Sequence, residues 1–176
     1  MAKVVFRSSG KTLEDLNEIK SFLEQYDILY DNWGTERLPE DLKKDYNVTQ
    51  EMQEAIIKAY EKELNELKEK KGYVTEDIVV LSEKTPNLED LLEKFKKEHH
   101  HVDDEVRFVV DGSGVFPIKI DGEIVDIYVE EGDLIVVPAG ARHWFELDEQ
   151  RKIKCIRVFK TPEGWEAIYE EECKAE

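Results

Sequence analysis

The sequence predicts a mostly β fold with added α: an antiparallel barrel or sandwich in the second half, with helices packed on its outside. Two observations carry this expectation. From Glu105 onward, short apolar runs follow one another between Gly-containing turns, the pattern of closely spaced antiparallel strands. Before that point the apolar residues recur at helical spacing instead.

The helical part comes first. In 11–25, Leu13, Leu16, Ile19, Phe22 and Leu23 form one apolar face, with Thr12 and Asp15 as an N-terminal cap pattern. A short apolar stretch at 28–30 leads to an Asn32-Trp33-Gly34 turn. A single long helix is expected over 49–71, with Met52, Ile56, Tyr60, Leu64 and Leu67 in a stripe and Gly72 as its stop. A short strand at 79–81 and a helix over 88–97, opened by Asn87, complete this half.

Strands are expected at 106–110, 115–120, 124–129, 134–137, 143–147, 153–159 and 165–169. The breaks between them are Asp111-Gly112, Asp121-Gly122, Gly132, Ala139-Gly140 and Gly164. The expected organisation is one domain over 1–176: a mostly helical portion (1–97), core barrel strands (98–169) and an acidic tail (170–176).

Bulk properties exclude several functions. The formal net charge of -17 repels phosphate backbones, so neither nucleic acid nor an anionic membrane surface is an expected partner. No run of about 18 apolar residues exists, so no membrane span is expected, and Met1 to Arg7 lack the long apolar stretch expected of a secretion signal. Cys155 and Cys173 share no metal or redox spacing and are expected to be reduced thiols in a cytoplasmic protein. Nothing demands an oligomer, so a monomer is expected.

The chemistry is concentrated in the four histidines: His99, His100, His101 and His143. Side chains alternate faces in extended chain. His99, His101 and Glu105 therefore share a face, and His100 points away. His143 follows the Pro138-Ala139-Gly140 turn at the start of another strand, where it could meet them. A solvated loop could also explain a histidine run. The second cluster, Gly132-x5-Pro138-x-Gly140-x2-His143, makes the metal-binding explanation the better one.

His99-x-His101-x3-Glu105-x6-Gly112 resembles the first motif of the cupins, and 132–143 resembles the second. Glu93 and Leu147 depart from the residues that often bound these motifs. The longer string is similar to the acireductone dioxygenase family. It runs from Glu98-His99-His100-His101 through Glu105-Val106-Arg107-Phe108 and Gly112-x-Gly114-x-Phe116 to Val137-Pro138-Ala139-Gly140-x-x-His143-Trp144-Phe145.

The resemblance implies a cupin-type jelly-roll barrel. It implies one Fe(II) or Ni(II) ion per chain, held by His99, His101, Glu105 and His143. Three imidazoles and one carboxylate would leave a divalent ion with a net charge of about +1 and open positions for a chelating anion. The implied reaction is cleavage of 1,2-dihydroxy-3-keto-5-methylthiopentene by O2 in methionine salvage.

The resemblance further implies that Arg107 and Arg157 line the pocket, with Phe95, Phe145 and Trp165 as its apolar wall. Parity places Arg107 on the face of Glu105, and Arg157 on that of Ile153, Cys155 and Phe159. The alternatives are ordinary core for the aromatics and a surface ion pair for Arg107. Asp103 and Asp104 read as a solvated turn or as partners of a ligand imidazole. Two rival functions share the barrel: a sugar isomerase or epimerase, and a ligand-binding cupin without chemistry.

Overall fold

A computed structural model describes residues 2–100, 104–160 and 168–169, with side chains for 2–98 and 104–160. In chain order the elements are β1 (Lys3–Phe6), β2 (Thr12–Leu13), α1 (Leu16–Glu24), β3 (Leu29–Asn32), α2 (Glu40–Lys44), α3 (Gln50–Ala59), α4 (Glu61–Lys71), β4 (Thr75–Leu81) and α5 (Leu88–Phe95). Then follow β5 (His99–His100), β6 (Glu105–Ile120), β7 (Glu123–Glu130), β8 (Asp133–Val137), β9 (Glu146–Leu147), β10 (Ile153–Phe159) and β11 (Ile168–Tyr169).

One strand organises the rest. The first half of β6 pairs with β10 on one side and β8 on the other, and its second half pairs with β7 and β9. The sheet is extended by β4 beside β10, β1 beside β7, β2 beside β1 and β3 beside β8, every pairing antiparallel. A strand shared in this way curls the sheet into a partial barrel. One apolar core fills the inside, where Phe116, Ile118, Ile127, Ile135 and Val137 meet Ile19 and Leu23 of α1.

The outer face of the β8–β6–β10 region is not left to solvent. Val106, Phe108, Leu134, Val136, Ile156 and Val158 form a second core with Ile56, Tyr60, Leu64 and Leu67 of α3 and α4. Both faces of the first half of β6 are thus covered, which suits the apolar run Phe108-Val109-Val110 within it. Fully burying each of these large side chains stabilises the fold by about 1.5–3 kcal/mol.

Several sequence expectations are corrected. The long helix at 49–71 is two helices broken at Tyr60, whose backbone leaves the helical region (φ -113°, ψ 17°). Tyr60 packs its ring 4.5 Å from that of Phe108 and donates its hydroxyl to Gly34 O at 2.7 Å. Arg37 Nη1 meets the Ala59 carbonyl exposed by the break at 3.0 Å. Tertiary packing here overrides an uninterrupted apolar stripe.

The helix expected over 11–25 starts later. Thr12 and Leu13 pair with β1, and Asp15 is itself the cap, accepting from Glu18 N at 3.1 Å. The first half also supplies strands β1 to β4, where only 28–30 and 79–81 were expected to be extended.

The Asp111-Gly112 break is not a hairpin turn. Cys155 opposes Val109 while Lys154 opposes Asp111, so one extra residue is accommodated as a β-bulge and β6 continues unbroken. Gly112 has φ +82°, and a Cβ there would collide with Lys152 O, so the position requires glycine. The strand expected at 143–147 is only Glu146–Leu147, with His143 held separately by a single bridge to Ile118. Of the strand expected at 165–169, 168–169 are extended and 165–167 lie outside the described residues, as does the 170–176 tail.

Candidate active site

Glu105 opens β6, and His143 is bridged to Ile118 in the other half of the same strand. The curl of β6 brings the two side chains together inside the barrel mouth. Glu105 Oε2 and His143 Nε2 are 2.6 Å apart, with side-chain exposures of 6% and 2%. The tight turn after Pro138, with Ala141 N bonded to Pro138 O and Gly140 at φ +82°, delivers the histidine. His143 Nδ1 lies 2.9 Å from Ala141 O. A carbonyl can only accept, so Nδ1 carries the hydrogen and Nε2 is the nitrogen turned toward Glu105. Burial opposes protonation of this imidazole, but the Glu105 carboxylate outweighs it and raises the His143 pKa.

Arg107 lies beside them. Its Nε donates to Glu105 Oε1 at 3.1 Å, and its guanidinium stands 5.7 Å from the Phe145 ring centre and 6.0 Å from that of Phe116. Burial disfavours the charge, yet the Glu105 carboxylate keeps Arg107 ionised. Beneath it sits Cys155, buried and outside any disulfide. Desolvation pushes this thiol up to about 11, so it is neutral.

Phe145 packs against Phe116 with ring centres 5.0 Å apart and against Phe95 at 6.4 Å. The backbone joins the last two as well, Phe145 N donating to Phe95 O at 2.9 Å. Helix α5 therefore ends against the segment between His143 and β9. Arg157 is paired in register with Arg107 but grips Asp77, Nε to Oδ1 at 2.8 Å and Nη2 to Oδ2 at 2.6 Å.

Of the residues named from sequence, the structure thus brings Glu105, His143, Arg107, Phe95 and Phe145 together. Arg157 shares their face with its guanidinium engaged by Asp77. His99 is placed only as backbone in β5, paired with β11, while His101, Asp103 and Trp165 lie outside the described residues. Among the described residues no group of three or more His, Cys, Asp or Glu is arranged to hold a metal.

Two residues escaped the sequence reading. Asp77 was missed because the strand was expected to begin only at 79, so its alternation was not carried back. Asp104 was read as a turn residue or an imidazole partner. Instead it accepts from Ala139 N at 2.9 Å and from the Tyr73 hydroxyl at 2.6 Å. It ties the turn that precedes His143 to the start of β6 and to Tyr73.

The family model described as the ARD/ARD' family matches residues 4–167. The chain belongs to the acireductone dioxygenase family. An acireductone dioxygenase of a Sulfurihydrogenibium species is 72% identical over 171 residues, covering 97% of this chain and 96% of that protein. One from Bacillus subtilis is 44% identical over 165 residues, covering 93% of each. The solved structure of an acireductone dioxygenase from Bacillus anthracis, with a cadmium ion in its active center, superposes with a TM-score of 0.92. It is 41% identical and covers 96% of this chain and 98% of that one. As a member of the acireductone dioxygenase family the chain is a cupin-fold oxidoreductase. The isomerase and binding-only alternatives are not favoured. No helix among the described residues is long and apolar enough to cross a membrane.

Proposed function

We propose that His99, His101, Glu105 and His143 hold one Fe(II) or Ni(II) ion and that the enzyme cleaves 1,2-dihydroxy-3-keto-5-methylthiopentene with O2 in methionine salvage. The observation that carries this reading is the buried approach of Glu105 Oε2 to His143 Nε2 at 2.6 Å. An acceptor carboxylate and an imidazole nitrogen converge there, with the other ring nitrogen already committed to Ala141 O. That is the arrangement of two metal ligands with an outer partner fixing the tautomer. The donor set of three imidazoles and one carboxylate suits iron and nickel alike.

Bound there, the ion would supply redox or Lewis-acid character, the iron form giving formate and 2-keto-4-methylthiobutyrate, the nickel form formate, carbon monoxide and 3-methylthiopropionate. The protein contributes position and field. Arg107 sets a permanent positive charge against the enediolate and orients one of its oxygens. Arg157 offers a second guanidinium from the next strand. Phe95, Phe145 and Trp165 form an apolar wall that excludes water and receives the methylthio side chain. The chain works as one folded unit, monomeric and cytoplasmic.

The test is oxygen uptake by metal-stripped protein given an acireductone, after separate addition of Fe(II), Ni(II) or Zn(II). Uptake with formate under iron or nickel, and carbon monoxide under nickel alone, is the expected result. Stoichiometric metal binding without any uptake would overturn the proposal.

A further inference from the structure

Strand register places more charge around the site than the ligands require. The pairing β8–β6–β10–β4 sets Ile135, Arg107, Arg157 and Asp77 side by side in one row. Ile135 belongs to the core inside the barrel. Directly opposed residues of antiparallel strands share a face, so both guanidiniums and Asp77 stand on the interior side, in the row next to Glu105.

Like charges opposed across neighbouring strands repel. Here each cation has its own carboxylate, Glu105 for Arg107 and Asp77 for Arg157. The two grips differ. Glu105 meets Arg107 through Nε, whereas Asp77 takes both Nε and Nη2 of Arg157. A two-pronged grip fixes the plane of a guanidinium as well as its place. Arg157 is 28% exposed and Asp77 32%, so this pair sits at the wetter margin of the site, where a long side chain would otherwise sample many rotamers. Aspartate is also a poor strand residue, so strand formation does not account for it in β4.

We propose that Asp77 is a positioning residue for the reaction. By holding Nε and Nη2 of Arg157 it fixes the guanidinium that meets the substrate anion, and so acts on substrate affinity more than on the chemical step. The proposal rests on the reading above that Arg157 faces the acireductone. Orientation set before binding is not lost again on binding. A loosened Arg157 would have to be ordered by the substrate itself.

The experiment compares Asp77→Asn, Asp77→Glu, Arg157→Met and the double variant Asp77→Asn with Arg157→Met, each metal-loaded. It reads KM, kcat, acireductone affinity without oxygen, and melting temperature. Asp77→Asn is expected to raise KM and the anaerobic Kd about tenfold with kcat within about twofold, as for loss of binding felt equally by substrate and transition state. Asp77→Glu should recover part of the affinity. In the Arg157→Met background, Asp77→Asn should add less than about twofold, because a residue that acts through Arg157 then has nothing to act on. An equal tenfold loss in both backgrounds, following the melting temperature, would overturn the proposal. So would an impaired Arg157→Met beside an unimpaired Asp77→Asn, which leaves the role of Arg157 intact. If Arg157→Met has normal KM and Kd, the reading of Arg157 falls and takes that of Asp77 with it. If the wild-type enzyme consumes no acireductone, the functional reading itself fails.

Discussion

Gly114 lies against the edge of the Phe145 ring: a Cβ on Gly114 would stand 2.6 Å from Phe145 Cε1 and 2.8 Å from Cζ. Its φ is not in the left-handed region, so space and not backbone conformation requires glycine here. Phe145 is in turn the ring under the Arg107 guanidinium. Gly114→Ala should push that ring toward the pocket, costing about 1–3 kcal/mol of stability through overpacking. Turnover should fall about tenfold or more, as expected when a positioned group is displaced by about 1 Å. Chemical denaturation and steady-state kinetics on acireductones with shorter side chains check this. The shorter substrates should suffer less.

Asp104 joins Tyr73 to the turn before His143. Asp104→Ala leaves the Ala139 N–H and the Tyr73 hydroxyl without that acceptor and should destabilise by about 1–3 kcal/mol. Tyr73→Phe removes one bond and should cost less, about 0.5–1.5 kcal/mol. Urea unfolding of both variants measures the difference. Equal stability of Asp104→Ala and wild type would show that the brace carries no weight.

His99→Ala and His143→Ala should lose most bound metal and nearly all turnover, because each leaves an incomplete ligand set. Arg107→Ala should retain metal and lose turnover, since its guanidinium touches Glu105 without being a ligand. Metal content by elemental analysis separates the two classes. Equal metal loss in all three would make Arg107 structural.

Asp111 gives the fold a defined acid limb. Its buried carboxylate meets Lys44 Nζ at 2.6 Å, the Tyr46 hydroxyl at 2.8 Å and Lys152 Nζ at 3.3 Å. Burial alone would raise its pKa, but these partners outweigh burial and hold it below the usual carboxylate value. A carboxyl group depressed in the folded state stabilises the fold above its unfolded pKa of about 3.9. That contribution is lost as pH falls through the lower folded value. Denaturation midpoints taken from pH 6 down through the carboxylate range should decline for the wild type. Asp111→Asn should be less stable at pH 6 and show a shallower decline.

The shared face of Glu105 and Arg107 was legible because alternation is a strong local signal, and both follow from parity once an extended chain is assumed. What alternation could not reveal is which residues meet across strands. The Arg157–Asp77 grip and the Glu105–His143 approach depend on register over separations of 80 and 38 residues. The Asp111-Gly112 pair beside the bulge looked like a turn because a glycine with positive φ is typical of turns. The break at Tyr60 was hidden by an apolar stripe that runs through it, since packing on Phe108 and Trp33, not propensity, decides it. The strands of the first half were obscured because β1, β2 and β3 span four residues or fewer, too short to show a period.

The strands of the first half have a consequence for how the chain can be divided. β4 lies along β10, β1 along β7 and β3 along β8, so residues before 82 shield three rows of backbone amides and carbonyls that would otherwise offer themselves to another chain. A fragment beginning at the histidine run would keep Glu105, Arg107 and His143 but present open sheet borders on several sides. It would self-associate before it could act as a minimal enzyme.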